Sequence, residues 1–282
     1  MKYMKHLFKL ALGLLAITVS TTLRGQIAVQ EVTYKQVDTV RLKMKLYYPA
    51  DYSSGKRYPA IVFFFGGGWM TGNIDQFKPQ AEYLASKGMI AATAEYRIGK
   101  KHGTTPFESV KDGRSAIRYL RKNAEHLGID TGRLAAGGGS AGGHVAAAAD
   151  LTAIDEETDD LSVNPRPNAL VLFNPVFNNG PGNYGYDRLK NRYREISPFH
   201  NIRQGAAPTV VLLGTKDKLI PVAMAKQYQQ KMQKAGGRCD LILYEGQEHG
   251  FFNYRPQKDL GYFRETLLAA AEFLTDLGYI VN

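Results

Sequence analysis

The chain has 282 residues, of which 44% are hydrophobic and 22% charged, with 36 Lys and Arg against 26 Asp and Glu. That is the composition of a globular domain, and it excludes a disordered, collagenous or coiled-coil chain. The lone cysteine, Cys239, excludes an internal disulfide and a thiolate metal site, and a chain this long buries enough surface to need neither.

In chain order, the first feature is Lys2, Lys5 and Lys9 ahead of the apolar run Leu10–Val19, followed by Ser20, Thr21, Thr22 and Gly25. This layout predicts a secretory leader over residues 1–25, and the run is too short for a stop-transfer helix. The mature protein, residues 26–282, is then expected outside the cytoplasm, in the periplasm or medium, with no stable membrane anchor. Without the leader, 32 basic residues face 26 acidic ones, a net charge of +6. These are scattered with no run of five and no stripe interleaved with aromatics, which gives nucleic-acid binding little support, and no nucleic-acid partner is expected.

Alternation over Gln30–Val37 and Thr39–Tyr48 predicts two strands of an antiparallel edge. Ala60–Phe65 is a continuous apolar run, as a strand buried on both faces requires. Helical and apolar segments alternate from there. Helices are predicted over Asp75–Lys87, Phe107–His126, Ala141–Leu151, Ile220–Ala235 and Lys258–Leu277. Strands are predicted over Met89–Ala94, Arg133–Gly137, Ala169–Phe173, Thr209–Gly214 and Leu241–Tyr244. Such alternation implies one α/β domain with an eight-stranded, mostly parallel sheet and helices on both faces. Residues 176–204 break the rhythm with Phe177, Tyr184, Tyr186, Tyr193 and Phe199 among Asn, Gly and Arg, and are expected to form a short lid-like insertion.

Gly138-Gly139-Ser140-Ala141-Gly142 lies between a predicted strand and a predicted helix. Glycines there permit a tight strand-to-helix turn that lifts Ser140 above the sheet at a helix N-terminus, making it the candidate nucleophile. Asp217 follows the strand Thr209–Gly214 and His249 follows Leu241–Tyr244, so all three lie beyond strand C-termini, where sites form on parallel sheets. The loop Phe65-Gly66-Gly67-Gly68-Trp69 follows the first buried strand. The amides of Gly67, Gly68 and Ala141 are candidate donors to a tetrahedral oxyanion. Trp69, Phe177 and Tyr184 are candidate substrate contacts.

The chain order Ser, Asp, His and these loops resemble the α/β-hydrolase superfamily, and within it the serine esterases with an H-G-G-G-W type oxyanion loop, such as bacterial acetyl xylan and feruloyl esterases. The resemblance runs from about Tyr34 to Leu277, and implies the α/β-hydrolase fold and a Ser140–His249–Asp217 triad with no cofactor and no metal. It also implies as substrate a small-molecule or carbohydrate ester, and it sets no oligomeric state. A serine peptidase or amidase and a non-catalytic binding protein of the same fold are the alternatives. Glu95-Tyr96-Arg97, Asp112, Gly142-Gly143-His144 and Ser197-Pro198 also look family-like and are read as scaffold. Phe65 departs from the pattern, standing where the family has histidine, so whatever that imidazole pins is absent or replaced. The short stretch before the first strand implies that no N-terminal helical cap covers the site, leaving an open cleft.

Overall fold

The computed structural model describes residues 27–281, so the expected leader lies outside the described residues. Eight strands form one sheet: β1 (Ala28–Val37), β2 (Val40–Tyr48), β3 (Tyr58–Phe64), β4 (Ile90–Ala94), β5 (Ile129–Gly139), β6 (Ala169–Phe173), β7 (Thr209–Gly214) and β8 (Cys239–Tyr244). Their order is β1-β2-β4-β3-β5-β6-β7-β8. The β1–β2 and β2–β4 pairs are antiparallel and every other pair is parallel, which is the mostly parallel sheet expected.

The helices are α1 (Lys78–Ser86), α2 (Gly99–His102), α3 (Pro106–Lys122), α4 (Ala124–Leu127), α5 (Ala141–Leu151), α6 (Tyr186–Leu189), α7 (Val222–Lys234) and α8 (Gly261–Asp276). Every residue of β3 is buried, because helices cover both faces of the sheet there. Its alternate residues feed two cores. Ala60, Val62 and Phe64 join the core shared with α3, α5 and α7, while Ile61 and Phe63 join the one shared with α1 and α8.

The structure shortens several predicted elements for local reasons. Residues 75–87 divide into a 3-10 turn, Ile74–Phe77, and α1, whose first turn holds Pro79. Proline starts a helix readily and is costly inside one. The helix expected to reach His126 stops at Lys122, and α4 follows as a separate turn closed by Gly128 at φ 70°. Residues 176–204 contain α6 and the 3-10 turns Lys190–Glu195 and Pro198–Asn201. Pieces this short cannot display a helical period in sequence. Cys239 is buried, and burial pushes its thiol up to about 12, away from the reactive thiolate form.

Candidate active site

β5 passes into α5 through Ser140, whose backbone sits at φ 53°, ψ −116°. Backbone angles of this kind cost about 1–3 kcal/mol and persist only where the surroundings impose them. Here the Ser140 N–H donates to the Phe173 carbonyl at 3.0 Å and the Ser140 carbonyl accepts the Val176 N–H at 3.2 Å. Gly142 is obligatory, since a β-carbon would stand 2.0 Å from the Phe64 carbonyl oxygen.

The His249 Nε2 atom lies 2.9 Å from Ser140 Oγ, and its Nδ1 lies 2.7 Å from Asp217 Oδ2. An ionised carboxylate can only accept, so Nδ1 carries the proton, and in the neutral ring Nε2 can accept from the serine hydroxyl. The other carboxylate oxygen of Asp217 accepts the Leu219 and Ile220 N–H groups, each at 2.9 Å, and the side chain is wholly buried. The loops after β7 and β8 are laced together. Lys216 N–H donates to the Gln247 carbonyl at 2.9 Å, and Gly246 N–H to Thr215 Oγ1 at 2.8 Å. The three residues expected from sequence order therefore form one hydrogen-bonded row.

After β3 the glycine loop turns sharply. Gly67 has φ 125°, and a β-carbon there would stand 2.1 Å from the Thr71 carbonyl oxygen. Its carbonyl accepts the Met70 and Thr71 N–H groups, both at 3.1 Å. Among the described residues, the Gly67 and Gly68 amides have no protein acceptor. Ala141 is the first residue of α5, so its N–H has no partner within the helix. Phe65 fills the position of the family histidine by packing: its ring stacks on Tyr96 with centroids 4.2 Å apart, and its carbonyl accepts the Tyr96 hydroxyl at 2.7 Å.

These groups line an open cleft of about 290 Å³ that includes Gly66, Gly67, Gly68, Ser140, His249 and Tyr184. Size does not choose the site: a hollow of about 620 Å³ beside Tyr254 is lined by neither serine nor histidine. The Tyr184 hydroxyl hangs over Gly68, 2.6 Å from where a β-carbon would stand.

The other two aromatic candidates are corrected. Trp69 is 1% exposed; its left-handed backbone, φ 58°, turns the indole inward, edge-on to His144 at 5.0 Å and stacked on Tyr184 at 5.8 Å. Phe177 is also 1% exposed and stacks on Tyr228 at 4.2 Å, inside the core. Neither lines the cleft. Arg97 and His144, expected to be scaffold, lie outside the cleft lining: Arg97 forks onto Asp112, with both contacts at 2.8 Å, and His144 is fully buried.

Sequence reasoning missed Thr71, Gln76, Asn174, Leu219, Gly250, Phe252 and Asn253, which complete the cleft. It also missed Arg188, whose guanidinium donates to the Gly68 carbonyl while lying over the Trp69 and Tyr184 rings. Isolated side chains in loops and single helical turns follow no period and no motif. Among the described residues, no cluster of three His, Cys, Asp or Glu could hold a metal ion, and no helix is long and apolar enough to cross a membrane.

A hydroxyl backed by an imidazole and a carboxylate, facing free backbone N–H groups, can perform acyl transfer. Similar proteins point the same way. The BD-FAE family model matches residues 44–171, and the dienelactone hydrolase family model matches residues 172–276. The acetylxylan esterase of Xylanibacter ruminicola is 28% identical over 95% of this chain, and esterase LipC of Mycobacterium tuberculosis is 26% identical over 70% of it. This chain spans only 56% and 54% of those two relatives.

Esterase 2 of Thermogutta terrifontis, in its apo form, is 39% identical with a TM-score of 0.86, over 90% of this chain and 96% of that one. Other structures of that esterase are described as propionate-bound, butyrate-bound and phosphonylated by sarin. Sheet topology, the strained serine turn and 39% identity across nearly all of a solved esterase agree, and the chain belongs to the α/β-hydrolase-fold serine esterases.

Proposed function

We propose that the protein is a secreted or periplasmic serine carboxylesterase that removes short-acyl or aromatic-acyl groups, acetyl or feruloyl, from plant polysaccharide or oligosaccharide. The observation that carries the reaction is the unbroken row Ser140–His249–Asp217, with contacts of 2.9 and 2.7 Å, beside the free amides of the glycine loop. Ser140 Oγ attacks the ester carbonyl while His249 Nε2 takes its proton. Asp217 holds the imidazole tautomer and stabilises the imidazolium, staying ionised throughout. The amides of Gly67, Gly68 and Ala141 receive the oxyanion, and each such donor is worth about 100- to 1000-fold in rate. Collapse of the tetrahedral intermediate expels the alcohol, which takes the proton back from His249. Water then attacks the acyl-enzyme by the same steps and releases the acid.

The small cleft and the propionate- and butyrate-bound relative support a short acyl group. The openness of that cleft, with Tyr184 at its wall, and the acetylxylan esterase relative support a carbohydrate alcohol. The leader pattern in residues 1–25 supports export.

The test is hydrolysis of p-nitrophenyl esters from acetate to decanoate, then of acetylated xylan, by wild type and Ser140→Ala. Activity highest on acetate, extended to the xylan and lost by roughly five to six orders of magnitude in the variant, is expected. Hydrolysis of peptide or amide substrates in place of esters would move the reading to a peptidase of this fold. A wild-type serine that no fluorophosphonate labels would end the catalytic reading.

A further inference from the structure

A chain of four hydrogen bonds crosses the rim of the cleft. The Gly66 N–H donates to Gln76 Oε1 at 2.6 Å, and Gln76 Nε2 donates to Asn253 Oδ1 at 2.8 Å. Asn253 Nδ2 then donates to the Gly250 carbonyl at 2.8 Å, and the Gly250 N–H donates to Asn174 Oδ1 at 2.8 Å. The chain starts at the residue before Gly67 and reaches the residue after His249. It bridges two loops whose linking residues are 177 positions apart.

The direction of the chain is forced. A backbone N–H can only donate, so Gln76 must turn its oxygen to Gly66 and its NH₂ away. That NH₂ needs an acceptor, which fixes the Asn253 oxygen, and the remaining Asn253 NH₂ must meet the Gly250 carbonyl. Neither amide can flip without breaking two bonds.

Both amides are mounted on locked aromatics. Gln76 precedes Phe77 and Asn253 follows Phe252, and these two rings stack 5.6 Å apart. Phe77 also stacks on Phe63 at 5.0 Å, and Phe252 packs on Phe173 at 5.0 Å. The aromatic stack already joins the underlying elements through buried apolar contact. What the amides add is a tie between the two loops that carry reacting groups. Gly66 is also backed closely by the serine turn, since a β-carbon on it would lie 3.0 Å from the Gly139 carbonyl oxygen and 3.5 Å from Ser140 Cβ.

We propose that Gln76 and Asn253 are positioning residues that set the separation between the oxyanion donors of the glycine loop and the His249 imidazole. Both bonds of Gln76 are half-shielded from water, where a hydrogen bond holds geometry better than at an exposed surface. The inference rests on reading Ser140 as nucleophile and the glycine-loop amides as oxyanion donors.

The experiment compares wild type, Gln76→Ala, Gln76→Glu, Asn253→Ala and the double alanine variant on p-nitrophenyl acetate. Rates are referred to the concentration of serine titrated to completion with a fluorophosphonate, so an unfolded fraction does not count. Gln76→Glu keeps an acceptor for Gly66 but replaces the donor to Asn253 with a charged carboxylate oxygen, so it is read beside Asn253→Ala, which breaks the same bridge without adding charge. Each single variant is expected to lose about 100-fold in kcat with KM unchanged, the cost of a misplacement near 1 Å. The double variant should fall within about twofold of either single one, because all break the same chain. The Ki of a trifluoromethyl ketone, whose hemiketal carries the oxyanion, should rise in step with the loss of kcat/KM.

Retained kcat in Gln76→Ala and Gln76→Glu, or losses that multiply in the double variant, would overturn the proposal. So would a lowered Tm with kcat per titrated serine intact, since that is what a merely structural tie predicts. A wild type that hydrolyses no ester would overturn the serine esterase reading along with this one, whereas an active wild type with unaffected variants overturns this one alone.

Discussion

The charged cluster between β1, α3 and the loop after α5 treats its polar groups in the opposite way to the rim of the candidate active site above β3, β5, β7 and β8. In the cluster, Lys35 reaches Asp112 at 2.6 Å and Glu156 at 3.0 Å, and Arg97 forks onto the same Asp112. Arg118 bridges Asp155 at 2.7 Å and Asp159 at 3.0 Å. Burial opposes the charge on Glu156, yet Lys35 and Arg97 overcome it and hold its carboxyl below the ordinary range. In the rim, by contrast, the Gly67 and Gly68 amides have no protein acceptor among the described residues, on a loop where Trp69 is held at φ 58°. Buried charges that are all paired hold a fold in one arrangement. Donors left open at a cost make sense where a transient negative charge completes them.

The contrast can be broken first at the rim. Asp217→Asn keeps the shape of the row but favours the wrong imidazole tautomer, so kcat should drop by about 10,000-fold with Tm little changed. A near wild-type rate on p-nitrophenyl acetate would show that Asp217 does not orient His249. The reverse is expected in the cluster. Asp112→Ala leaves two buried cations, Lys35 and Arg97, with Glu156 as the one carboxylate they still share, and should cost about 3–5 kcal/mol in urea unfolding, with the folded fraction still active.

Acidification sharpens the comparison. Burial lowers the His144 imidazole to about 4, so the unfolded chain takes up a proton between the ordinary histidine value and that one. A depressed value means that stability is present above the unfolded pKa and is lost as pH falls towards 4, by about 3 kcal/mol. Tm measured from pH 7 to 4 should therefore fall, and His144→Gln should flatten that slope. Asp155 and Glu156, whose carboxyls lie below their ordinary range, begin to lose their own contribution as pH falls through that ordinary carboxylate range, so their loss overlaps only the acid end of the scan. The smallest effect belongs to an exposed pair. Lys43→Ala, which removes the 2.7 Å contact with Glu31 on the β1–β2 hairpin, should move stability by less than about 1 kcal/mol.

Much of the site could be read from residue order, because its signals are local. Gly138 to Gly142 mark a strand-to-helix turn, and Asp217 and His249 each follow an apolar run closely enough to be placed at a strand end. The aromatic contacts could not be read this way. Trp69 and Phe177 are large, flank the glycine loop and the insertion, and look exposed on the chain. Yet a backbone turned to φ 58° and a partner on α7, Tyr228, bury them. Gln76 and Asn253 carry no period and no motif, and they meet across 177 positions.

Local patterning along the chain was enough to specify which segments become strands, which turns must bend sharply and which three side chains could form a row, because period, glycine placement and strand ends act over a few residues. Which way Trp69 faces, how Phe65 is held without a histidine, and which amides tie the loops across the cleft depend on neighbours distant in sequence. Those features exist only once the sheet has brought β3, β5, β7 and β8 side by side. A side chain's environment is set by what packs against it, and that is not written in its own neighbourhood.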